Sequence, residues 1–534
     1  MSAPSRVSAW SWVMSALLAS QRGVHTLGLR SATLRVVRMR DEDEGSGPSA
    51  DDSTVVQYHR TSLAQASTLD RALGATGALS RAGVRDGQPF VLGADGSYDI
   101  ALNRFFRELD GWGVRSANGI AAYTRDVMLF CRFLHEGRGG KTIWECDATD
   151  LLAYKRIRLW GDGPDRVSIS TWRRSIAALD KWVRWSIAEG LLREEPFRYV
   201  DRLVMTPQGP KQMRVNAQQE PDPPVKPIQF LPFEDYLLWR NVGLRGELPD
   251  GTIDPTWRGR HGERNALFAD VLVYTGMRLG EAASMLACEV PQLTERSAGA
   301  FQVPSAVAKR GKGRTVFINT RTLRGLHQYL EIERDELVAR CRARGYYDRV
   351  TDPVGVRSAG RYALTLEEGK RSWAYAKIDA DRRRHLTWMV DGHSSGPLLL
   401  WLGDRGEPVL PSTWQSIFRR ANKRCAKLGI PLEVHPHTLR HTFAVHMLGL
   451  LLRQTIRALG KRENPQVTRA EVKRLLIGNP MRRLQLLLGH SNESTVYTYL
   501  DVLDEAQEIV MAALAEWDDE SAALGPLASE VATA

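Results

Sequence analysis

Four segments in the second half of the chain place basic and imidazole side chains beside predicted helix starts and turns. In PHTLRHTFAVHML, His437, Arg440 and His441 lie at positions i, i+3 and i+4, so they share one face of a helix that begins near residue 436. The rest of the set consists of Arg278 between two glycines, Lys309 before the turn RGKG, and His490 after a glycine. The set contains no pair of carboxylates and no evident metal-ligand spacing.

This combination of side chains suits chemistry on a phosphodiester. Two guanidinium groups can bind the non-bridging phosphate oxygens and neutralise the charge that grows in a pentavalent transition state. A histidine can accept the proton of an attacking hydroxyl, and a lysine can donate a proton to the departing sugar oxygen. Because the arginines then perform the role that magnesium has at other phosphoryl-transfer sites, this chemistry requires no metal ion.

The stretch LLLGHSNESTVYTYL supplies two candidates for the attacking hydroxyl, Tyr497 and Tyr499. A tyrosine can attack phosphorus once its proton is removed, since an ordinary pKa of about 10 keeps it protonated at neutral pH. On a helix, positions that differ by two are separated by about 200°, so the two side chains would face nearly opposite directions. Helix geometry alone does not identify which of them faces the basic cluster.

The composition indicates a globular protein with an anionic partner. With 534 residues, the chain is long enough for two or three domains. Its formal net charge of +11 favours nucleic acid first and an anionic membrane surface second. The five cysteines form no CxxC pair, which favours a reducing compartment without a disulfide framework or a thiolate zinc site. No apolar run approaches the roughly 20 residues that a transmembrane helix needs.

Hydrophobic periodicity divides the chain into a leader, two domains and a linker. Residues 1–96 show no sustained periodicity and are predicted to be a poorly ordered leader or accessory arm; their WSWVMSALLA resembles a short targeting segment, but the acidic, Gly/Ser-rich stretch after it favours an extended start. Helical spacing in three segments predicts an all-helical domain over residues 97–200. Six prolines predict an extended linker over residues 201–229.

The second domain is predicted over residues 230–517, with a tail over 518–534. RNALFADVLVYTG and MRLGEAASML read as helices, and FQVPSAVAKRGKGRTVFINT alternates around a basic turn as a β-hairpin does. Residues 342–395 lack a regular pattern and are interpreted as an insertion of unknown structure.

Four segments resemble the successive boxes of the tyrosine recombinases, or phage integrase family, and occur in the family's order: TGMRLGEAASML, VAKRGKGRTVFI, PHTLRHTFAVHML and LLLGHSNESTVYTYL. The likeness extends from about residue 98 to residue 517. It implies a mainly α fold with a small β-sheet (α+β). In that fold an N-terminal helical core-binding (SAM-like) domain and an integrase-type catalytic domain form a clamp around DNA.

The resemblance also implies a role for the residues of the cluster. Arg278 matches the first arginine of the family's active site, and Glu281 matches the acidic residue that supports it. His437 and Arg440 match the HxxR pair. His490 matches the position, His or Trp in the family, that hydrogen-bonds the scissile phosphate.

The remaining roles follow from the family's spacing. Lys309 aligns with the catalytic lysine, although Lys312 lies close to it. The family's nucleophile follows the phosphate-binding histidine by nine residues, which selects Tyr499 and leaves Tyr497 as packing. His441 is expected to support its own helix.

The implied activity is site-specific recombination of DNA, for integration or excision of a mobile element. Tyr499 would attack a scissile phosphate, form a 3′-phosphotyrosyl bond and release a 5′-hydroxyl, with Lys309 as the general acid. A 5′-hydroxyl of the partner duplex then reverses the chemistry, so no metal, ATP or other cofactor is required. The implied partners are double-stranded DNA attachment sites, a homo-tetramer on synapsed DNA, and accessory DNA-bending or directionality proteins. The implied location is the cytoplasmic nucleoid of a bacterium, and no membrane is involved.

Basic residues outside the cluster are predicted to contact DNA. One helix face, which a solvated surface would also explain, carries Arg173, Arg174, Lys181 and Arg184. The hairpin turn adds Arg310, Lys312 and Arg314. Two insertions, over residues 342–395 and 455–483, depart from the family pattern and are expected to contact DNA or neighbouring subunits. DEAQEIVMAALAEW spaces Ile509, Ala513 and Trp517 along a stripe that docks on a neighbouring subunit or packs within its own.

Other classes of protein remain open. A type IB topoisomerase or a telomere resolvase would use nearly the same residues, and relaxation of supercoils without synapsis would identify the former. A non-catalytic DNA-binding regulator would have no need of all six catalytic positions. A metal-dependent nuclease would lose activity in EDTA, and a zinc site at His437, His441 and His446 lacks the glutamate of an HExxH motif.

Overall fold

The computed structural model describes residues 56–61, 84–85, 87–206, 209–221, 223, 228–294, 298–350, 353–367, 372–460, 479–490 and 494–500. The chain divides between residues 225 and 226 into two compact units. Most of the predicted leader, most of the basic segment 455–483, the stripe of Ile509, Ala513 and Trp517, and the tail lie outside the described residues. Within the described part, no helix is both long and apolar enough to cross a membrane.

The N-terminal unit is built on four helices: α1 (Ile100–Glu108), α2 (Ala117–Gly137), α3 (Ala148–Trp160) and α4 (Ile169–Ala188). Each begins after a Ser or Asp whose side chain accepts a hydrogen bond from a first-turn backbone N–H, which satisfies a donor that the helix itself leaves unpaired. The apolar faces meet in an aromatic core that includes Phe105, Phe130, Trp172, Trp182 and Trp185. The predicted helical character of this region is confirmed.

Two strand pairs in this unit depart from the predictions. Within the predicted leader, β1 (Gln57–Arg60) pairs antiparallel with β2 (Pro89–Leu92). The side chain of Asn103 fixes β2 to α1, since its Nδ2 donates to the Val91 carbonyl at 2.9 Å and its Oδ1 accepts from the Val91 N–H at 2.8 Å. The two strands are short and far apart in sequence, so periodicity does not reveal them.

Part of the predicted linker is also ordered. β3 (Tyr199–Thr206) and β4 (Gly209–Asn216) form an antiparallel hairpin. The carboxylate of Asp180 in α4 accepts hydrogen bonds from the Tyr199 hydroxyl at 2.9 Å and from the Asn216 amide at 2.8 Å, which holds the base of the hairpin. The proline content is compatible with this hairpin because both strands are edge strands, where a missing N–H is tolerated.

The C-terminal unit contains the other helices of the described chain: α5 (Phe233–Trp239), α6 (Gly262–Thr275), α7 (Leu279–Ala283), α8 (Thr320–Gln328), α9 (Asp335–Ala343), α10 (Ala380–His385), α11 (Pro411–Lys427), α12 (Pro436–Gly460), α13 (Asn479–Leu488) and α14 (Ser494–Tyr497). α6 and α11 meet where the Phe268 ring stacks on Trp414 with 3.6 Å between ring centroids. α12 begins at the proline that the sequence predicts as its start.

The predicted hairpin is confirmed: β5 (Ala298–Val303) pairs antiparallel with β6 (Arg314–Asn319). Its connection is longer than the tight turn that the sequence suggests, and it contains a 3₁₀ turn over Lys309–Gly311. We call residues 304–313 the lysine loop.

The region interpreted from the sequence as an insertion of unknown structure forms a five-stranded sheet. Its strands are β7 (Val354–Ala359), β8 (Ala363–Leu366), β9 (Ser372–Ala374), β10 (Leu386–Val390) and β11 (His393–Pro397), in the order β11-β10-β7-β8-β9. Only the β10–β7 pair is parallel. We call it the inserted sheet. With these small sheets, the mainly α architecture predicted from the sequence is confirmed.

Candidate active site

Arg278 stands at the start of α7, where Glu281 anchors it. The Glu281 carboxylate accepts a hydrogen bond from the Arg278 backbone N–H at 2.8 Å and from its guanidinium at 3.1 Å. The glutamate is buried, whereas 27% of the arginine side chain is exposed. The predicted support of Arg278 by an acidic residue is therefore visible in the geometry, and the guanidinium keeps a free side towards solvent.

Arg314, predicted to contact DNA, is buried, and its guanidinium is bonded within the protein. Its terminal nitrogens donate to the two carboxylate oxygens of Glu281 at 3.0 and 2.7 Å, and its Nε donates to the Leu487 carbonyl at 2.7 Å. Burial alternates along β6, so the strand directs position 314 inward with positions 316 and 318. Burial raises the pKa of the Glu281 carboxyl, but the hydrogen bonds and charges of Arg314 and then Arg278 together outweigh burial and hold that pKa below its ordinary value.

Arg440 is almost completely buried, at 1% exposure. Its guanidinium donates to the backbone carbonyls of Gly276 and Leu488. These two hydrogen bonds join the end of α6 to the end of α13. Gly276 has a φ of 65°, and a Cβ there would lie 2.3 Å from the Phe443 ring, so only glycine fits. Burial, followed by the positive charges of Arg278 and Arg314, lowers the pKa of Arg440 to about 9. A bound anion would relieve this repulsion.

A cleft of about 630 Å³ brings four of the predicted catalytic residues together: Arg278, Lys309, His437 and Arg440. Lys312 is exposed on the same loop and is not among the residues that line the cleft. Gln415 and Arg419 of α11, together with His435, line the cleft as well. None of these three residues was predicted from the sequence. The basic, largely exposed stretch RRANKRCAK, which begins at Arg419 in α11, is a signal that would have indicated Arg419.

The two tyrosines have different surroundings. Tyr499 is only 3% exposed, and its hydroxyl lies 3.2 Å from Nδ1 of His441. Tyr497 is 43% exposed, so its predicted role in packing is wrong. The reason is that α14 ends at Tyr497, and the turn after it directs Tyr499 onto α12. The contact of His441 with this hydroxyl was not predicted from the sequence.

The histidines around Tyr499 are held in the neutral form. Burial, reinforced by neighbouring charges, lowers the pKa of both His441 and His490 to about 4. The pKa of His437 is also lowered, first by burial and then by the charge of Arg440. Nδ1 of His490 lies 2.9 Å from the Thr495 hydroxyl, which orients that ring. Neutral imidazoles can accept a proton or a hydrogen bond, whereas imidazolium rings can only donate one.

The other residues predicted to contact DNA differ in their exposure. On α4, Arg174 forms a bidentate ion pair with Asp126 at 2.7 and 3.0 Å, and Lys181 donates to the Trp112 carbonyl at 2.6 Å. Exposed positions are Arg184 on α4 and Arg310 and Lys312 in the lysine loop, while Arg173 is half-buried.

The geometry does not favour the zinc alternative. His446 lies away from the cluster, with its Nε2 at 3.1 Å from the Leu231 carbonyl. Among the residues that the structure describes, no group of three or more His, Cys, Asp or Glu side chains has a metal-binding arrangement.

Comparison with known proteins identifies two matching family models. One is the phage integrase family, over residues 254–450, and the other is the phage integrase N-terminal SAM-like domain, over residues 102–190. The tyrosine recombinase XerD of Agrobacterium fabrum is 25% identical over 430 residues, 79% of this chain and 95% of that protein. The tyrosine recombinase XerC of Roseiflexus castenholzii is 23% identical over 402 residues, 75% of this chain and 88% of that protein. A crystal structure of the XerH site-specific recombinase bound to difH substrate, in a pre-cleavage complex, has 14% sequence identity and a TM-score of 0.40, and covers 78% of this chain and 85% of that one.

Proposed function

Since the chain belongs to the phage integrase family of tyrosine recombinases, which cut and rejoin DNA, we propose that Tyr499 is its nucleophile. The observation that carries this assignment is the contact between the Tyr499 hydroxyl and His441, on the same helix face as His437 and Arg440. Tyr497, by contrast, is exposed.

The roles of the basic residues follow from their positions around the cleft. Arg278, anchored by Glu281, and Arg440, anchored by two carbonyls, bind the non-bridging oxygens of the scissile phosphate and stabilise the charge of the transition state. Because both arginines are held before DNA arrives, little reorganisation is needed during the reaction. His437 and His490 donate hydrogen bonds to the phosphate, and Lys309 protonates the 5′-oxygen as it leaves.

The nucleophile requires a proton acceptor and a change of exposure. Burial raises the pKa of Tyr499 above its ordinary value, although Arg440 and Arg278 oppose the increase. The neutral ring of His441 is placed to take the proton. As 3% exposure would keep the hydroxyl away from a duplex phosphate, DNA binding moves the Tyr499 segment towards the cleft.

The larger assembly is part of the same proposal. The helical unit over residues 97–200 and the catalytic unit over residues 230–517 grip an attachment site as a clamp, and four copies act on two synapsed duplexes. The exchange integrates or excises a mobile element in the bacterial cytoplasm, with accessory proteins setting its direction. The ordered, interlocked basic cluster of the catalytic unit supports a strand-transfer enzyme over a non-catalytic regulator.

Covalent capture tests the nucleophile. The wild type, Tyr499→Phe and Tyr497→Phe are expressed in cells that carry the DNA flanking the gene, and the cells are lysed directly in SDS. DNA that co-purifies with protein without a crosslinker is then sequenced. We expect adducts from the wild type and Tyr497→Phe but none from Tyr499→Phe. Adducts that survive Tyr499→Phe and vanish with Tyr497→Phe would reverse the assignment, while relaxation of supercoils without joint products would favour a topoisomerase.

A further inference from the structure

The inserted sheet contacts two elements that carry cleft residues, the end of α7 and the lysine loop. One short stretch, residues 375–383, bonds to both elements; it contains a 3₁₀ turn over Tyr375–Lys377 and the first residues of α10. We call it the bridging segment. It has two partners: the lysine loop and the end of α7, whose N-terminal cap is Arg278. Leu286, just after α7, also packs in the core of the sheet.

At the α7 end, Arg383 is the anchor. Its side chain is completely buried and forms a bidentate ion pair with Glu289 at 2.6 and 3.0 Å. The same guanidinium donates at 3.0 Å to the carbonyl of Ser284, the residue that caps the C-terminal end of α7. It also donates to the carbonyls of Tyr375 and Ile378, both at 3.0 Å, so it closes the bridging segment on itself. A fully bonded buried arginine fixes the position of this segment against α7.

At the lysine loop, the contact is the carbonyl of Ala376. It accepts one hydrogen bond from the Ala306 N–H at 3.0 Å and a second from the Ser305 hydroxyl at 2.9 Å. Lys309 is four residues beyond Ser305 in the same loop, and its side chain is exposed at the edge of the cleft. The loop is exposed and carries glycines, so contacts at its start restrict the positions that Lys309 can adopt.

We propose that the inserted sheet is a positioning element that sets Lys309 against Arg278 through the bridging segment, with Arg383 and Ser305 as positioning residues. The chain of contacts runs from Ser284 through Arg383 and Ala376 to the lysine loop. It fixes the distance between the group that binds the phosphate and the group that protonates the departing oxygen. The inference rests on the proposed role of Lys309 as the general acid.

A leaving-group substitution tests the inference. The substrate is a duplex oligonucleotide with the attachment site recovered by covalent capture, made with either the normal 5′-oxygen or a bridging 5′-sulfur at the scissile phosphate. In both, the Tyr499 oxygen bonds to phosphorus while the bond from phosphorus to the 5′ atom breaks. A thiolate departs without being protonated, so the sulfur substrate does not depend on a general acid. Cleavage rates and DNA affinity are measured with the full chain.

The expected results are specific to each variant. On the oxygen substrate, Ser305→Ala lowers the cleavage rate about 5-fold and Arg383→Lys about 100-fold, because small displacements of a catalytic group have large effects. Affinity for the duplex changes less than 2-fold, and both losses shrink to less than 2-fold on the sulfur substrate. Thr315→Ala is the matched control, since it removes another hydroxyl of the same hairpin, one bonded to Gln302 and not to the bridging segment. It leaves both rates unchanged.

Two outcomes distinguish the inference from its premise. If Lys309→Ala is rescued by sulfur while the Ser305 and Arg383 variants lose equal activity on both substrates, or none on either, the inserted sheet has only a structural role and the inference is overturned. If Lys309→Ala is not rescued by sulfur, Lys309 is not the general acid, and the proposed function fails at that residue. Thermal unfolding of each variant identifies a loss that comes from a destabilised fold.

Discussion

Two arginine–carboxylate ion pairs, one in each unit, have the same bidentate geometry but differ in their exposure to solvent. Arg174 in the helical unit binds Asp126 through two hydrogen bonds, and Arg314 in the catalytic unit binds Glu281 in the same bidentate way. The arginine side chain is 44% exposed in the first pair and 6% exposed in the second. Both arginines were predicted to contact DNA, and only Arg174 has an open side for a phosphate. The charge pattern of the sequence predicts the exposure of neither arginine, because exposure depends on which residues pack against the ion pair in the folded chain.

The difference in exposure also predicts a difference in energy. A pair that faces water gains little, since solvent screens the charges and two long side chains lose freedom. A buried pair costs much to break, because the remaining partner becomes an uncompensated charge in a medium of low polarity. Arg314 additionally connects Glu281 to the Leu487 carbonyl, so it joins the Arg278 helix to the chain that leads to Tyr499.

The largest effect is expected at the buried pair. Arg314→Ala should lower the free energy of unfolding by about 3–5 kcal/mol and abolish detectable cleavage, because Glu281 stays buried without its main counter-charge. Denaturant unfolding of the full chain measures the change. Arg310→Ala is the control, since that residue is exposed on the lysine loop, and it should change stability by less than about 0.5 kcal/mol. A loss below about 1 kcal/mol for Arg314→Ala would remove the distinction between the two pairs.

A second arginine tests whether buried guanidinium geometry matters more than charge. Arg440→Lys keeps the positive charge, but one ammonium cannot reach the Gly276 and Leu488 carbonyls while also binding a phosphate. The cleavage rate should fall about 10²–10³-fold, with DNA affinity nearly unchanged. Arg184→Lys, on the exposed face of α4, should leave cleavage at the wild-type rate. Equal behaviour of the two substitutions would show that charge alone suffices.

Low pH should destabilise the catalytic unit more than the helical unit. The lowered pKa values of His437, His441 and His490 mean that the unfolded chain binds more protons than the folded chain between about pH 6.5 and pH 4. The free energy of unfolding therefore decreases as pH falls through this window. The loss concerns the catalytic unit, because all three histidines lie in it. Hydrogen exchange of the full chain at pH 7.0 and 5.0 should show the larger loss of protection around α12. His441→Asn should reduce that pH dependence, and an unchanged profile would contradict the proposed charge state.

The smallest effect is expected at the exposed pair. Arg174→Ala should cost about 1 kcal/mol of stability, and the slope of DNA affinity against salt should decrease by about one phosphate contact. Arg184→Ala should reduce the salt slope by the same amount without a loss of stability, because no described ion pair depends on it. If neither substitution changes the slope, this face of α4 is a solvated surface, and the clamp uses other residues of the helical unit.

Much of the site was predictable because its residues are linked by short, regular spacings. The i, i+3, i+4 arrangement of His437, Arg440 and His441 holds once the segment is helical, and α12 begins where its proline indicates. The start of α7 at Arg278 and the hairpin after it are local features in the same sense. The hairpin β3–β4 was missed because the prolines in and around it are typical of an extended linker. The inserted sheet was missed because its strands have only three to six residues and their pairing depends on partners outside each segment.

The sequence by itself determined the family, the mainly helical architecture and the residue types that meet a phosphate. These properties depend on local periodicity and on motifs that read the same in any surroundings. Only the tertiary structure decided that Tyr499 is buried and Tyr497 exposed, that Arg314 binds Glu281, and that the inserted sheet contacts the lysine loop. Burial and long-range hydrogen bonds arise from residues far apart in the chain, so no local pattern contains them.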